Sequence, residues 1–298
     1  MFRTITIILL ISICILTPTP PILAKDALRV ISLAPAITEI IYALGADDML
    51  VGVSTYCDYP LAAQSKEKVG GFINPNLEKI VSLAPNLVIM SPNSGTKQIQ
   101  ARLDHLNINN TVVEFYTIDG LRRAYEIIGD QLEKKEEARQ LRQALDEKIR
   151  MIAEKVAERE RPRVLFLRSH NPLYVAAGGS YEDDLIEIAG ATNCVPQRSA
   201  RYPQYSIEEI MRLNPEIIID ATFYDTPNQV QLKAIQTFWQ RLKTVDAVKN
   251  NKLYIIKTDI HSVPGPRTTL LLDIISQLVH PEVFGTESEY SEQILLSE

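Results

Sequence analysis

The chain has 298 residues, of which 46% are hydrophobic and 23% charged: ample apolar material for a packed core, and not the composition of a disordered chain. Its 31 lysines and arginines stand against 37 acids, a formal charge of -6, so the overall balance gives no reason to hold nucleic acid or another polyanion. Arg3 precedes the run Ile5–Leu16, apolar except for Thr6 and Ser12; prolines follow at 18, 20 and 21, and Ala24 stands before Lys25 and Asp26. A run of roughly 12 residues is too short to span a bilayer and has the pattern of a secretory leader. Residues 1–24 are therefore expected to be a cleaved signal peptide, and Ile13, where a lipid anchor on Cys14 would want a small residue, favours a soluble product.

Beyond the leader, short β-like runs alternate with helical ones. Arg29–Leu33, Leu50–Ser54, Leu87–Met90 and Thr111–Phe115 read as strands. Thr38 and Glu39 open a helix that carries Ile40, Ile41 and Leu44 and stops at Gly45; Gly95–Leu106 forms another. Such alternation calls for a largely parallel, helix-covered sheet. From Lys134 to Glu158 the chain is most regular: Ala138, Leu141, Leu145, Ile149, Ile152 and Val156 recur at spacings of three and four, with Arg142, Asp146, Arg150 and Glu154 on other faces. That helix would run roughly 35 to 40 Å, long enough to brace two lobes.

The same alternation resumes after Pro162, with strands at Val164–Leu167, Glu216–Asp220 and Lys252–Ile256 and a helix near Tyr181–Ala189. Asn76–Ile89 matches Ser206–Ile219 residue for residue in kind: a capping side chain, a short helix, a proline turn and a buried strand. The expected class is α/β, two Rossmann-like lobes joined by a long backbone helix. The expected divisions are an N-terminal lobe at 25–133, the linking helix at 134–160 and a C-terminal lobe at 161–298. Cys57 and Cys194 would then sit in different lobes, too far apart to pair.

Catalytic signatures are missing: there is no Gly-x-Ser-x-Gly elbow, phosphate-binding glycine loop, Cys-x-x-Cys or His-Glu-x-x-His, and the four histidines are scattered. The chain reads as a binder, not an enzyme. Open α/β sheets hold ligands at the carboxyl ends of their strands. Here those ends carry Ala34–Ala36, Tyr56, Tyr59 and Ser91–Asn93 in the first lobe, and Arg168–Asn171, Tyr174, Asp259 and His261 in the second. Two such rims face to face would make a cleft for a large flat ligand with polar edges. Trp239, among amphipathic neighbours, is expected in the core.

Arg29–Glu39, Val51–Pro60 and Asn76–Ile89 resemble the periplasmic substrate-binding proteins that serve ABC importers of vitamin B12, haem and ferric siderophores, most of all the corrinoid binders. The likeness continues through Tyr202–Gln204, Phe238–Trp239, Asp259 and Pro266–Arg267. It implies the helical-backbone metal-receptor fold and a periplasmic monomer without a resident cofactor. Such a protein would deliver a corrinoid such as cobalamin to an inner-membrane ABC permease. Haem and ferric siderophores are the alternatives within the class; a periplasmic enzyme or sensor on the same scaffold is the alternative outside it.

By the same resemblance, Ala36 and Tyr56 border the ligand, Tyr174 adds an aromatic from the second lobe, and Asp259 approaches from its rim. Phe72, Ser91 and Tyr202 stand where corrinoid binders have tryptophans, which reduces stacking area and keeps smaller chelates in play. His170, His261, Tyr56 and Cys57 are weak candidates for an axial metal ligand. Glu78 and Glu208 would dock into arginine pockets of the permease, although an acid in a first helical turn also serves the helix dipole.

Overall fold

A computed structural model of the chain describes residues 28–93, 95–223, 225–286 and 289–295. The expected leader, with Cys14, lies outside the described residues. Strand β1 (Val30–Ser32) leads through α1 (Pro35–Ala43) to β2 (Leu50–Val53), then through α2 (Leu77–Ser82), β3 (Leu87–Met90) and α3 (Thr96–His105) to β4 (Asn109–Val112). The four strands are parallel in the order β2-β1-β3-β4, with Val30 opposite Leu50 and Leu87, and Leu87 opposite Asn109.

Helices α4 (Ile118–Gln131) and α5 (Lys135–Val156) carry the chain to a second sheet. It is built from β5 (Arg163–His170), β6 (Leu173–Val175), α6 (Tyr181–Ile188), β7 (Thr192–Asn193), α7 (Ile207–Leu213), β8 (Ile217–Asp220), α8 (Gln229–Trp239), α9 (Asp246–Lys249) and β9 (Leu253–Ile256), then α10 (Thr268–Val279), α11 (Pro281–Phe284) and β10 (Ser291–Gln293). Its parallel strands lie in the order β7-β5-β8-β9, the second-first-third-fourth arrangement of the first sheet, with antiparallel β6 and β10 added. The duplication read from the sequence extends to backbone detail. Asn76 and Ser206 cap α2 and α7 by accepting from the amides of Lys79 and Glu209, Ala84 and Asn214 leave those helices with φ of 43° and 42°, and Pro85 and Pro215 follow.

Helix α5 buries Ala138, Leu145, Ile152 and Val156 and packs against α4, α6 and α10. Gly129 is what lets α4 come so close: a Cβ there would stand 2.4 Å from that of Ala138. On the far side, Lys148 reaches Asp273 of α10 at 2.8 Å. One apolar cluster joins Ile37 and Ile41 under the first sheet, Leu145 and Ile152 of α5, and Phe166, Ile219 and Ile275 of the second.

Three readings shift. Helix α1 starts at Pro35, whose fixed φ suits a first helical position, so Thr38 and Glu39 are buried inside the helix instead of opening it. The fourth strand lies at Asn109–Val112, because the chain turns at Thr117, whose hydroxyl caps α4 by accepting from Gly120. Helices α4 and α10 were not assigned from the sequence at all. Trp239 is fully buried, and Cys57 and Cys194 are both free and buried.

Candidate functional site

The loops leaving the carboxyl ends of both sheets enclose a cleft of about 920 Å³. The first sheet contributes Ala34, Pro35 and Ala36 after β1, Tyr56, Asp58 and Tyr59 after β2, and Ser91 after β3; Phe72 and Phe115 come from longer connections. The second contributes Arg168 from β5, and Asp259, Ser262, Val263 and Pro264 after β9. Small residues where α1 begins leave room for a ligand. Tyr56 is 63% and Tyr59 49% exposed, aromatic faces turned to solvent at the mouth. The Phe72 loop is held by Asn93, whose Nδ2 donates to the Phe72 carbonyl at 3.1 Å. Gly70, at φ 98°, makes the turn that precedes it, and a Cβ there would lie 2.8 Å from the Asn76 amide nitrogen.

A buried charge network crosses between the sheets beside this cleft. Arg267 donates to both carboxylate oxygens of Glu39 on α1, at 2.9 and 2.5 Å, and to both of Asp259, at 2.8 and 3.0 Å. Its guanidinium also lies 4.2 Å from the Tyr59 ring centroid. Burial raises Glu39 above the ordinary carboxylate range, with Arg267 opposing. At Asp259 burial acts the same way, but the hydrogen bonds and charge of Arg267 outweigh it and hold that carboxyl low. A second pair sets Arg168 on Glu182 at 2.5 Å, under the ring of Tyr202.

Of the residues the resemblance points to, Ala36, Tyr56, Phe72, Ser91 and Asp259 meet around this one cleft. Tyr202 does not line it: its hydroxyl turns inward to Glu182 Oε2 at 3.0 Å, and burial with that neighbouring carboxylate pushes its pKa up. Tyr174 is also outside the lining, on β6, where it bridges to Gln204. The two candidate histidines are engaged within the fold. His170 Nε2 lies 2.8 Å from Asp220, which also accepts from Trp239, and buried His261 donates from Nε2 to the Phe223 carbonyl at 2.8 Å. Neither lines the cleft, and among the described residues no group of three or more His, Cys, Asp or Glu is placed to hold a metal ion. Cys57 Sγ lies 3.1 Å from the Thr38 and Ser54 hydroxyls, and burial raises its thiol. Glu39, Phe115 and the pairing of Arg267 with Glu39 are not evident from the sequence; Glu39, a lone acid in an apolar helix, carries the one local signal among them.

His261 makes one pH effect predictable. Burial and the nearby Arg168 charge push its imidazole down from 6.5 to about 4. The unfolded chain therefore takes up the proton first, so this contribution to stability is whole above pH 6.5 and is lost as pH falls toward 4. Urea titrations across that window should show a loss on the order of 3 kcal/mol from this group. His261→Gln, which keeps a donor for the Phe223 carbonyl, should flatten the acid slope; an unchanged slope would refute the assignment.

Comparison with known proteins places these features in context. A family model described as periplasmic binding protein matches residues 30–260. The vitamin B12-binding protein of Vibrio cholerae is 29% identical over 274 residues, covering 91% of this chain and 96% of that protein. An uncharacterized ABC transporter substrate-binding lipoprotein of Bacillus subtilis is 28% identical over 269 residues, covering 87% and 82%. Among solved structures, the periplasmic vitamin B12 binding protein of Vibrio cholerae superposes with a TM-score of 0.73 at 26% identity, covering 84% of this chain and 96% of that one. A periplasmic heme binding protein of Pseudomonas aeruginosa superposes with 0.78 at 20% identity, covering 90% and 98%, a likeness of fold alone. No helix among the described residues is long and apolar enough to cross a membrane.

Proposed function

This chain belongs to the periplasmic binding protein family, and we propose that it captures a corrinoid of the vitamin B12 type in the periplasm and hands it, unaltered, to an ABC importer. The observation that carries the reading is the cleft itself. It opens between the carboxyl ends of two sheets, is large for a small-molecule site, and has aromatic side chains on one wall and a carboxylate, Asp259, on the other. Phe72 and Tyr56 would supply flat apolar contact to the macrocycle, Ala36 the clearance at the floor, and Ser91 and Asp259 polar contacts to its edge. The ligand is cargo, and the protein holds no resident cofactor in this reading.

Delivery falls to the duplicated helices. Glu78 and Glu208 are exposed, and neither pairs with another described side chain. Their neighbours are committed locally: Lys79 to Glu67 at 2.8 Å, Glu209 to the Ser206 amide in a capping box. Three residues on, Val81 and Met211 are 43% and 41% exposed at matching positions. Two free carboxylates, each beside an exposed apolar side chain, suit a permease with two basic pockets.

Calorimetric titration of the purified protein with cyanocobalamin tests the capture step. Binding is expected, and Phe72→Ala and Tyr56→Ala should each weaken it by about tenfold, the scale of one lost aromatic contact. Tyr174→Ala should leave it unchanged. No binding, or full affinity in both aromatic variants, would reject the site.

A further inference from the structure

The charged groups of the cleft are already engaged, and acids outnumber cations among them. Glu39, Asp58 and Asp259 line it; among the described residues Arg168 is the one cation of the lining. Arg168 donates to Glu182 at 2.5 Å and to the His261 carbonyl at 3.0 Å. Arg267, outside the lining, is forked onto Glu39 and Asp259 at once. Three carboxylates thus share two guanidiniums, and Asp58, 71% exposed, has Lys68 only at 3.7 Å.

We infer that the cleft selects its chelate by charge, accepting a neutral or cationic one whose rim carries amides and refusing one whose rim carries carboxylates. The inference rests on the reading that the cleft holds a flat metal chelate. An incoming carboxylate would have to displace Glu182, Glu39 or Asp259 from its arginine, stranding a buried charge, or lie unpaired beside Asp259. An amide N–H meets the opposite situation. Asp259 is 41% exposed; its Oδ1 accepts from Arg267 and, at 3.3 Å, from the Thr258 hydroxyl, while Oδ2 keeps a lone pair beyond the one taken by Arg267, so it accepts a further donor with its ion pair intact. Discrimination comes from the site's own pairing and needs no clash of shape. Two cations outside the lining bear on this. Lys68 donates to the Cys57 carbonyl at 2.7 Å, and the Arg201 guanidinium lies 4.3 Å over the Tyr116 ring.

The test separates charge from shape by titrating the purified full chain with cyanocobalamin, haemin and haemin dimethyl ester in one dilute-detergent buffer, followed by absorbance. Haemin and its ester share a macrocycle and a metal and differ in the two carboxylates. The ester is expected to bind about tenfold or more tighter than haemin. The gap should narrow in high salt, which screens the exposed part of the repulsion, and in Asp58→Lys, which exchanges a rim acid for a cation. Haemin binding as tightly as its ester would overturn the inference, as would haemin binding that is abolished in Arg201→Ala, since a cation would then have been available. Failure of both cyanocobalamin and the ester to bind would instead bring down the underlying reading of the cleft, and the charge rule with it.

Discussion

Arg267→Ala is expected to destabilise the protein by about 3–5 kcal/mol, the usual cost of removing one partner from a buried ion pair. The side chain is only 14% exposed, and its loss strands Glu39, 3% exposed, without its counter-charge. The pair spans 228 residues of sequence and joins α1 to the segment before α10, so the loss falls on the contact between the two sheets as well as on the pair. Denaturant unfolding measures it. The double variant Glu39→Gln with Arg267→Met should recover much of the loss, because no buried charge is then left alone. A cost below about 1 kcal/mol in the single variant, the range of a surface pair, would show that the network is not structural. Ligand affinity should fall in Arg267→Ala as well, since Asp259 loses the group that orients it toward the cleft.

Glu78→Ala combined with Glu208→Ala should leave ligand affinity within error of the parent and cost only about 0.3–1 kcal/mol of stability for each lost first-turn acid, while reducing uptake through the cognate importer by tenfold or more. Neither carboxylate touches the cleft or another described side chain, so a folding defect is not expected to confuse the result. Each single variant should fall between parent and double, because the two helices are equivalent and each would engage one pocket. Val81→Asp and Met211→Asp should impair uptake in the same way. Normal uptake in the double glutamate variant would remove these helices from the docking surface.

The α/β class, the duplication and the long helix were legible because each rests on a local pattern. Periodicity marks α5, and Asn76 and Ser206 announce α2 and α7 three residues ahead of the groups they cap. Helix α10 is harder to read for the opposite reason: eight of its twelve residues are buried, and Thr269, Leu270, Asp273 and Gln277 leave only a narrow stripe with a single charge to set the period. Five cleft residues could be named by resemblance, four of them just past recognisable strand ends and Phe72 in a longer connection. Tyr202 lies outside the lining because its hydroxyl serves an internal carboxylate, Glu182, a partner that no local pattern records. The Glu39–Arg267 pair depends on two distant segments meeting, which no local pattern records.

The continuous apolar mass beneath both sheets also bears on how the molecule comes apart. Because Ile37, Leu145 and Ile275 belong to one cluster, with α5 in its midst, severing the polypeptide after α4 would expose interior on both fragments. Neither fragment would be a self-sufficient folding unit, and heating should melt the whole molecule in one cooperative step. Access to the cleft is then expected to come from small elastic yielding of the rims, and not from the wide swinging of independent halves.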